Sequence, residues 1–186
     1  MTFKFGKKSI EHMEGVHPTL ILAAHYALVN AGVDFGFFEG VRSVAKSQEN
    51  IDKGTSWLKK AEDSMHCVQK DGYGHGMDLV PYLPVDEIKV VEGVEVKNTV
   101  YKNVWDWPAC ILIAKAVQQY AFANNVAIRW GGVWDIPLNK LTTNLEAEVA
   151  AYQVRHAGKD HLDGVHFELP VINNTSDDVK DTAIIA

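Results

Sequence analysis

The chain of 186 residues has only two cysteines, Cys67 and Cys110, too few for the disulfide framework of a small secreted domain. It has no long apolar run: the greasiest stretch, Leu20 to Val29, is broken by His25 and falls far short of the roughly 20 residues of a membrane helix. It has no excess of positive charge. Eighteen Lys plus Arg against 24 Asp plus Glu give −6, which argues against a protein that grips nucleic acid by broad charge. Three lysines lie within Met1 to Lys8 without an apolar segment after them, so no secretory signal is read there. Gly-x-Ser-x-Gly, a P-loop and Gly-x-Gly-x-x-Gly after a strand are missing, as are His-Glu-x-x-His and Cys-x-x-Cys. Serine-hydrolase, NTPase, dinucleotide-binding, zincin and zinc-ribbon readings therefore find no support. Internal repeats and low-complexity segments are missing too. What is left is a soluble, single-domain chain made in a reducing compartment.

At this length a chain buries about 70% of its unfolded surface and needs no metal to make a core. A metal, if bound, is expected to be functional. Pro18 opens a segment with Leu20, Ile21, Ala24 and Leu28 on one face, and Gly32 stops it, the asymmetry of a helix. Val33 to Glu39 reads as a buried strand ended by Gly40, and Ser43 as the N-cap of a polar helix running to about Lys53. Gly76 to Val80 reads as a strand terminated by Pro81. Val85 to Tyr101 alternates around Glu92-Gly93, which predicts a hairpin exposed on one face. Pro108 begins a helix ended by Asn124-Asn125, and Val126 to Trp130 reads as a strand before a Gly131-Gly132 turn. Thr143 with Glu146 forms a capping-box pattern for a helix ending near Ala157-Gly158. Gly164 to Leu169 reads as a last strand, and Asn173 to Ala186 as a loose tail. Helices and strands alternate without a regular βαβ rhythm, so the expected class is α+β.

Most of the eight histidines have bland readings: His25 lies inside a helix, and His156 near a helix C-terminus, where a cation is favourable for structural reasons. Three places differ. Ser64-Met65-His66 precedes a Gly-rich stretch ending in Gly74-His75-Gly76-Met77-Asp78-Leu79, and Asp163-Gly164-Val165-His166 puts a carboxylate three residues before a histidine. Two histidines and one carboxylate from separate segments are the ligand set of a catalytic zinc with an open fourth position, and a further carboxylate could act on its water. Loops rich in Gly, His and Asp also occur without any metal, and spacing alone leaves both readings open. Cys67 beside His66 reads as a free thiol.

Gly15-Val16-His17-Pro18, Glu39-Gly40-Val41-Arg42-Ser43 with Gln48, Ser64-x-His66, Gly74-x-Gly76-x-Asp78-Leu79, Arg129-Trp130-Gly131-Gly132 and Asp163-Gly-Val-His166-Phe-Glu-Leu together resemble the phage L-alanyl-D-glutamate endopeptidases. These belong with the D-alanyl-D-alanine carboxypeptidases in one zinc-peptidase fold. The resemblance spans Gly15 to Leu169 and implies a small α+β domain with zinc on an antiparallel sheet. It implies His66, Asp78 and His166 as the zinc ligands, Asp163 as the general base, and Arg42 as the group steadying the scissile carbonyl. The plain alternative for Arg42 is an ion pair with Glu39. Ser64 and Gln48 fall on motif positions near the cleft. Trp130 is expected to line it, although a tryptophan after a strand also suits the core.

One departure stands out. His66 and Asp78 are twelve residues apart, and an insertion of about five residues relative to the family pattern costs little chain entropy. The extra residues fall within Cys67 to Tyr73, expected to be a mobile rim of the cleft. The insertion makes His75 the alternative to Asp78 as a ligand; Asp78 is preferred because Asp78-Leu79 begins a strand-like run.

The implied protein is a phage endolysin: a monomeric zinc hydrolase of residues 1–171 with a tail at 172–186. It would cut the L-Ala–D-Glu bond of the peptidoglycan stem peptide, without nucleic acid or a membrane anchor as partner. It would stay in the host cytoplasm until release to the wall, and the lack of a repeat-like wall-binding module fits a thin wall better than a thick one. The alternatives are a D-alanyl-D-alanine carboxypeptidase and a catalytically dead wall-binding or virion protein.

Overall fold

A computed structural model describes residues 3–91, 93–157 and 161–170. The predicted tail, Gly158 at the predicted helix end and Glu92 of the predicted turn lie outside the described residues. The elements in order are α1 (Lys7–His12), α2 (Pro18–Asn30), β1 (Phe35–Glu39), α3 (Val44–Asp52), β2 (Gly76–Val91), β3 (Val94–Asn103), α4 (Trp107–Asn124), β4 (Arg129–Trp130), α5 (Leu145–Arg155) and β5 (His166–Glu168). The class is α+β, as expected. The pairings among these strands are antiparallel, in the order β1-β2-β5-β4, with β3 paired to the far half of β2.

Alternation along these strands creates two unlike faces. Phe35, Phe37, Met77, Leu79, Trp130 and Phe167 are all buried in one core cluster. Their neighbours in sequence, Asp78, Arg129, His166 and Glu168, line a cleft instead. The apolar face is covered by α2 and α4, which contribute Leu20, Ala23, Ala24, Ala27 and Leu28, and Ile113, Ala114, Val117 and Ala121. Small alanines let the two helices approach closely. Each fully buried large side chain here, Phe37 and Phe167 among them, contributes about 1.5–3 kcal/mol of transfer free energy. Gln118 on α4 is buried and donates to the carbonyls of Leu138, Leu141 and Thr142, anchoring the loop ahead of α5.

Several local expectations are met: Ser43 Oγ accepts from Lys46 N–H at the start of α3, and α4 ends at Asn125 in the left-handed region. Others need correction. β2 does not stop at Pro81 but continues to Val91. Pro81 sits where β2 changes partners: Tyr82 N–H still bonds Asp34 O on the β1 side, while Pro81 O accepts from Val104 N–H beyond β3. The missing proline N–H falls at that handover. The hairpin is present, but the exposure predicted for one face extends to both along β3, which is exposed at every residue but Val100, because the ribbon runs beyond the helices. β4 is only two residues long, and β5 begins at His166 rather than Gly164. The cap of α5 is Asn144, whose side chain accepts from Ala147 N–H; the Thr143–Glu146 pattern is one residue early, and Glu146 instead pairs with Lys115.

Candidate metal centre and cleft

His66, Asp78 and His166 converge from a loop, β2 and β5. Pairing of Asp78 with His166 across β2 and β5 puts both side chains on the polar face. His66 is brought in by backbone: Arg42 N–H donates to its carbonyl, and its Nδ1 lies 2.6 Å from Gly40 O. Gly40 has to be glycine, since a Cβ there would come within 2.1 Å of His12 O. His66 Nε2 is 3.1 Å from His166 Nδ1 and 3.3 Å from Asp78 Oδ1, and His166 Nδ1 is 3.0 Å from Asp78 Oδ1. A tetrahedral ion with bonds of about 2.0–2.1 Å sets its ligand atoms about 3.3 Å apart. The three donors therefore already stand close to the spacing that such an ion needs.

The far nitrogens of both rings are also committed. His66 Nδ1–H donates to Gly40 O, and His166 Nε2–H donates to Glu168 Oε2 at 3.0 Å. Such partners fix the tautomer and aim the other nitrogen at a metal. Glu168 is itself held by Arg129. The residues present thus suit a divalent ion held by two imidazoles and a carboxylate.

Electrostatics follow from this packing. Burial alone would raise the Asp78 carboxyl, but the charge of His66 and hydrogen bonds from His166 and His66 hold it far below the usual range. Burial opposes charge on His166, yet its bonds to Asp78 and Glu168 push it up to about 10. Asp163 lies in the same cleft, and its carboxyl is raised, first by burial and then by the charge of Asp78. Its backbone is pinned: Asp163 N–H donates to Gly131 O at 2.8 Å, and a Cβ on Gly131 would fall 2.2 Å from Asp163 O.

Arg42 makes the ion pair with Glu39 that its sequence neighbour suggested, through Nε at 2.8 Å and Nη2 at 2.6 Å. It also lines the cleft. Glu39 takes two of the five guanidinium N–H groups, so three are not used by that pair. Ser64 is buried and lines the cleft as well.

Two expected residues stand elsewhere. Trp130 is wholly buried, donates to Gly164 O and stacks on Trp107; it is core, not cleft wall, because it alternates with Arg129. Gln48 lies on the exposed side of α3 with its amide on Asp52 and is not among the cleft residues. The cleft, about 270 Å³, is walled instead by Trp57, Trp134, Arg129 and Glu168, which the sequence reading missed. Trp57 stacks on His161 at 5.5 Å and meets Trp134 edge-on at 5.9 Å. Trp134 lies 5.3 Å from the His166 ring.

The Cys67–Tyr73 segment is also unlike its expectation. It is a hydrogen-bonded turn, with Gln69 N–H on Tyr73 O and the Gln69 amide on Cys67 O and Ser64 O. None of its residues lines the cleft. His75 bonds Asp71 at 2.8 Å and is not part of the His66 cluster. Both cysteines are free and buried; burial, with Asp106 and Asp163 adding, pushes the Cys110 thiol up to about 12.

Comparison with known proteins gives a consistent result. The family model described as phage L-alanyl-D-glutamate peptidase matches residues 1–170. The L-alanyl-D-glutamate peptidase of Escherichia phage T5 is 32% identical over 136 residues, covering 73% of this chain and 84% of the relative. The crystal structure of the Serratia marcescens L-Ala D-Glu endopeptidase ChiX superposes with a TM-score of 0.54 at 25% identity, covering 91% of each chain.

Proposed function

The chain belongs to the phage L-alanyl-D-glutamate peptidase family, and from that premise we propose that it is a zinc-dependent endolysin. It hydrolyses the L-alanyl–D-glutamate bond of the peptidoglycan stem peptide and so lyses the host. The observation that carries this reading is the set of three donors 3.0–3.3 Å apart, each imidazole tied at its far nitrogen, at the floor of a cleft that also holds Asp163 and Arg42.

When bound, zinc polarises the peptide carbonyl and makes water a competent nucleophile near neutral pH. His66, Asp78 and His166 would hold the ion, and Glu168 and the Gly40 carbonyl keep the two rings aimed. Asp163 takes the proton of the attacking water and delivers it to the departing D-Glu nitrogen. In the metal-free protein its carboxyl is raised by burial and by the charge of Asp78. The free N–H groups of Arg42 face charge building on the carbonyl oxygen, with Glu39 steadying the guanidinium. Trp57 and Trp134 give the stem peptide an apolar wall, and Ser64 lines the cleft near the metal ligands. Water adds across one amide, leaving a carboxylate on L-Ala and a free amine on D-Glu.

One chain supplies every group named in this site, so no second copy is needed to complete it. The family match ending at residue 170 supports a catalytic unit of residues 1–171. Peptidoglycan lies outside the cytoplasmic membrane, so the enzyme acts after release from the host cytoplasm to the wall. Among the described residues no helix is long and apolar enough to cross a membrane.

The test is digestion of purified sacculi with and without a chelator, followed by mass spectrometry of the products. New D-Glu amino termini that vanish with the chelator are expected. Loss of a single D-Ala from pentapeptides would instead indicate a carboxypeptidase, and no release at all would indicate a dead homologue.

A further inference from the structure

Outside the cleft, a second His–Asp–His group is assembled by the inserted loop. His17 comes from the start of α2, Asp71 from the loop, and His75 from the residue just before β2. One donor atom from each lies within 4.8 Å of the others. His75 Nε2 is 2.8 Å from Asp71 Oδ2, and the His17 and His75 rings pack edge to face at 5.2 Å. The backbone holds them side by side: His17 N–H donates to Gly74 O, and Gly74 N–H to Gly15 O, both at 2.9 Å. Asp71 is oriented by Tyr73 N–H on its Oδ1, and the Tyr73 ring packs against His17. His75 Nδ1, moreover, is buried with no hydrogen-bond partner. Nothing in the peptidase chemistry uses these three residues.

We propose that His17, Asp71 and His75 form a second metal site, which takes a zinc-class divalent ion and fastens the 67–73 loop to the start of α2. Two imidazoles and one carboxylate suit zinc, cobalt(II) or nickel(II) rather than calcium or magnesium, which take oxygen donors. Three protein ligands leave the remaining position to water. The site binds more weakly than the His66 cluster for two reasons. His75 lacks a partner at its far nitrogen, and outer partners of that kind are worth about 10–100-fold in affinity. His17 Nδ1 also accepts the Thr19 N–H at 3.2 Å as the cap of α2, so binding through Nε2 moves the ring proton to Nδ1 and gives up that bond.

The inference stands independently of the peptidase reading, and the experiment separates them. The full chain, stripped by chelator, is titrated with zinc against a chromophoric competitor and then with cobalt(II), whose visible bands report the ligand set. The expected result is two equivalents, the second at least about tenfold weaker. Asp71→Asn, His75→Gln and His17→Asn should each lose the weak equivalent and keep both the tight one and sacculus hydrolysis. Asn at position 17 is chosen because it still caps a helix, and three variants guard against misfolding of any one. His166→Ala should do the reverse, keeping the weak equivalent. A wild-type stoichiometry of one, or two equivalents retained in all three loop variants, overturns the second site whatever the peptidase activity proves to be.

Discussion

The two His–Asp–His groups have the same donor types and differ in almost everything behind them. His66 and His166 are 4% and 7% exposed, held by a loop carbonyl and a strand, and each has its far nitrogen tied to Gly40 O or Glu168. At the other group Asp71 has 42% of its side chain exposed, and His75 Nδ1 has no partner. The first group opens into a cleft with Asp163, Arg42 and an aromatic wall; the second has no comparable neighbours among the residues at its contacts. Donor identity therefore makes a place for an ion. The Gly40 carbonyl, Glu168 and Asp163 around the first set of donors are what the proposed reaction would use.

The comparison breaks hardest at the ligands. His66→Ala or His166→Ala should abolish tight metal binding and sacculus hydrolysis together, because three protein ligands is already the minimum for a catalytic site. Elemental analysis after dialysis checks this, and full metal content in either variant would show that the ligand set is wrong. Next is Asp163→Ala, which removes the feature that only the first group has. It is expected to keep its metal and its melting temperature while losing about 10²–10⁴ in hydrolysis rate. Near wild-type turnover with metal in place would assign the base elsewhere. Smaller again is Glu168→Gln, which makes the first group more like the second by weakening the partner of His166. Tight metal affinity should fall about 10–100-fold, measured by competition titration, and an unchanged affinity would remove the outer carboxylate from the explanation.

Sequence legibility follows the range of the forces. Ser43 and Asn125 were legible because a cap is a local contract between a side chain and N–H or C=O groups within a few residues. β2 passing through Pro81 was not, because the proline is tolerated only through the particular partners on either side of it. The same holds for Arg129 and Trp130: which of two adjacent residues faces the cleft depends on pairing with Glu168 and Phe167, 37 to 39 positions away. Trp57 lies in a loop without any periodic signal. For the candidate ligands, spacing left a metal and a metal-free reading open; the family resemblance chose between them, and the strand-like run from Asp78-Leu79 favoured Asp78 over His75. The inserted loop read as mobile because Gly and polar residues dominate it, whereas the Gln69 side-chain bonds that tie it down depend on its folded path.

The gentlest test of the contrast is a slope against pH. In the metal-free protein His166 is raised to about 10 by its bonds to Asp78 and Glu168, against the opposing effect of burial. Its proton stabilises the fold fully below the ordinary value of 6.5, and that contribution is lost as pH rises through about 10. Coordination at Nδ1 needs the same ring neutral, so the ion has to displace that proton. Between about pH 7 and 8.5, tight metal binding should then strengthen about tenfold per unit. His17 is shifted the other way, lowered by burial and by the charge of His75 despite Asp71. It is already neutral over this range and adds nothing to the slope at the second group. Competition titrations at several pH values read both lines. A flat line at the His66 cluster would mean that Asp78 and Glu168 do not hold a proton on His166, and the electrostatic distinction between the two groups would fall with it.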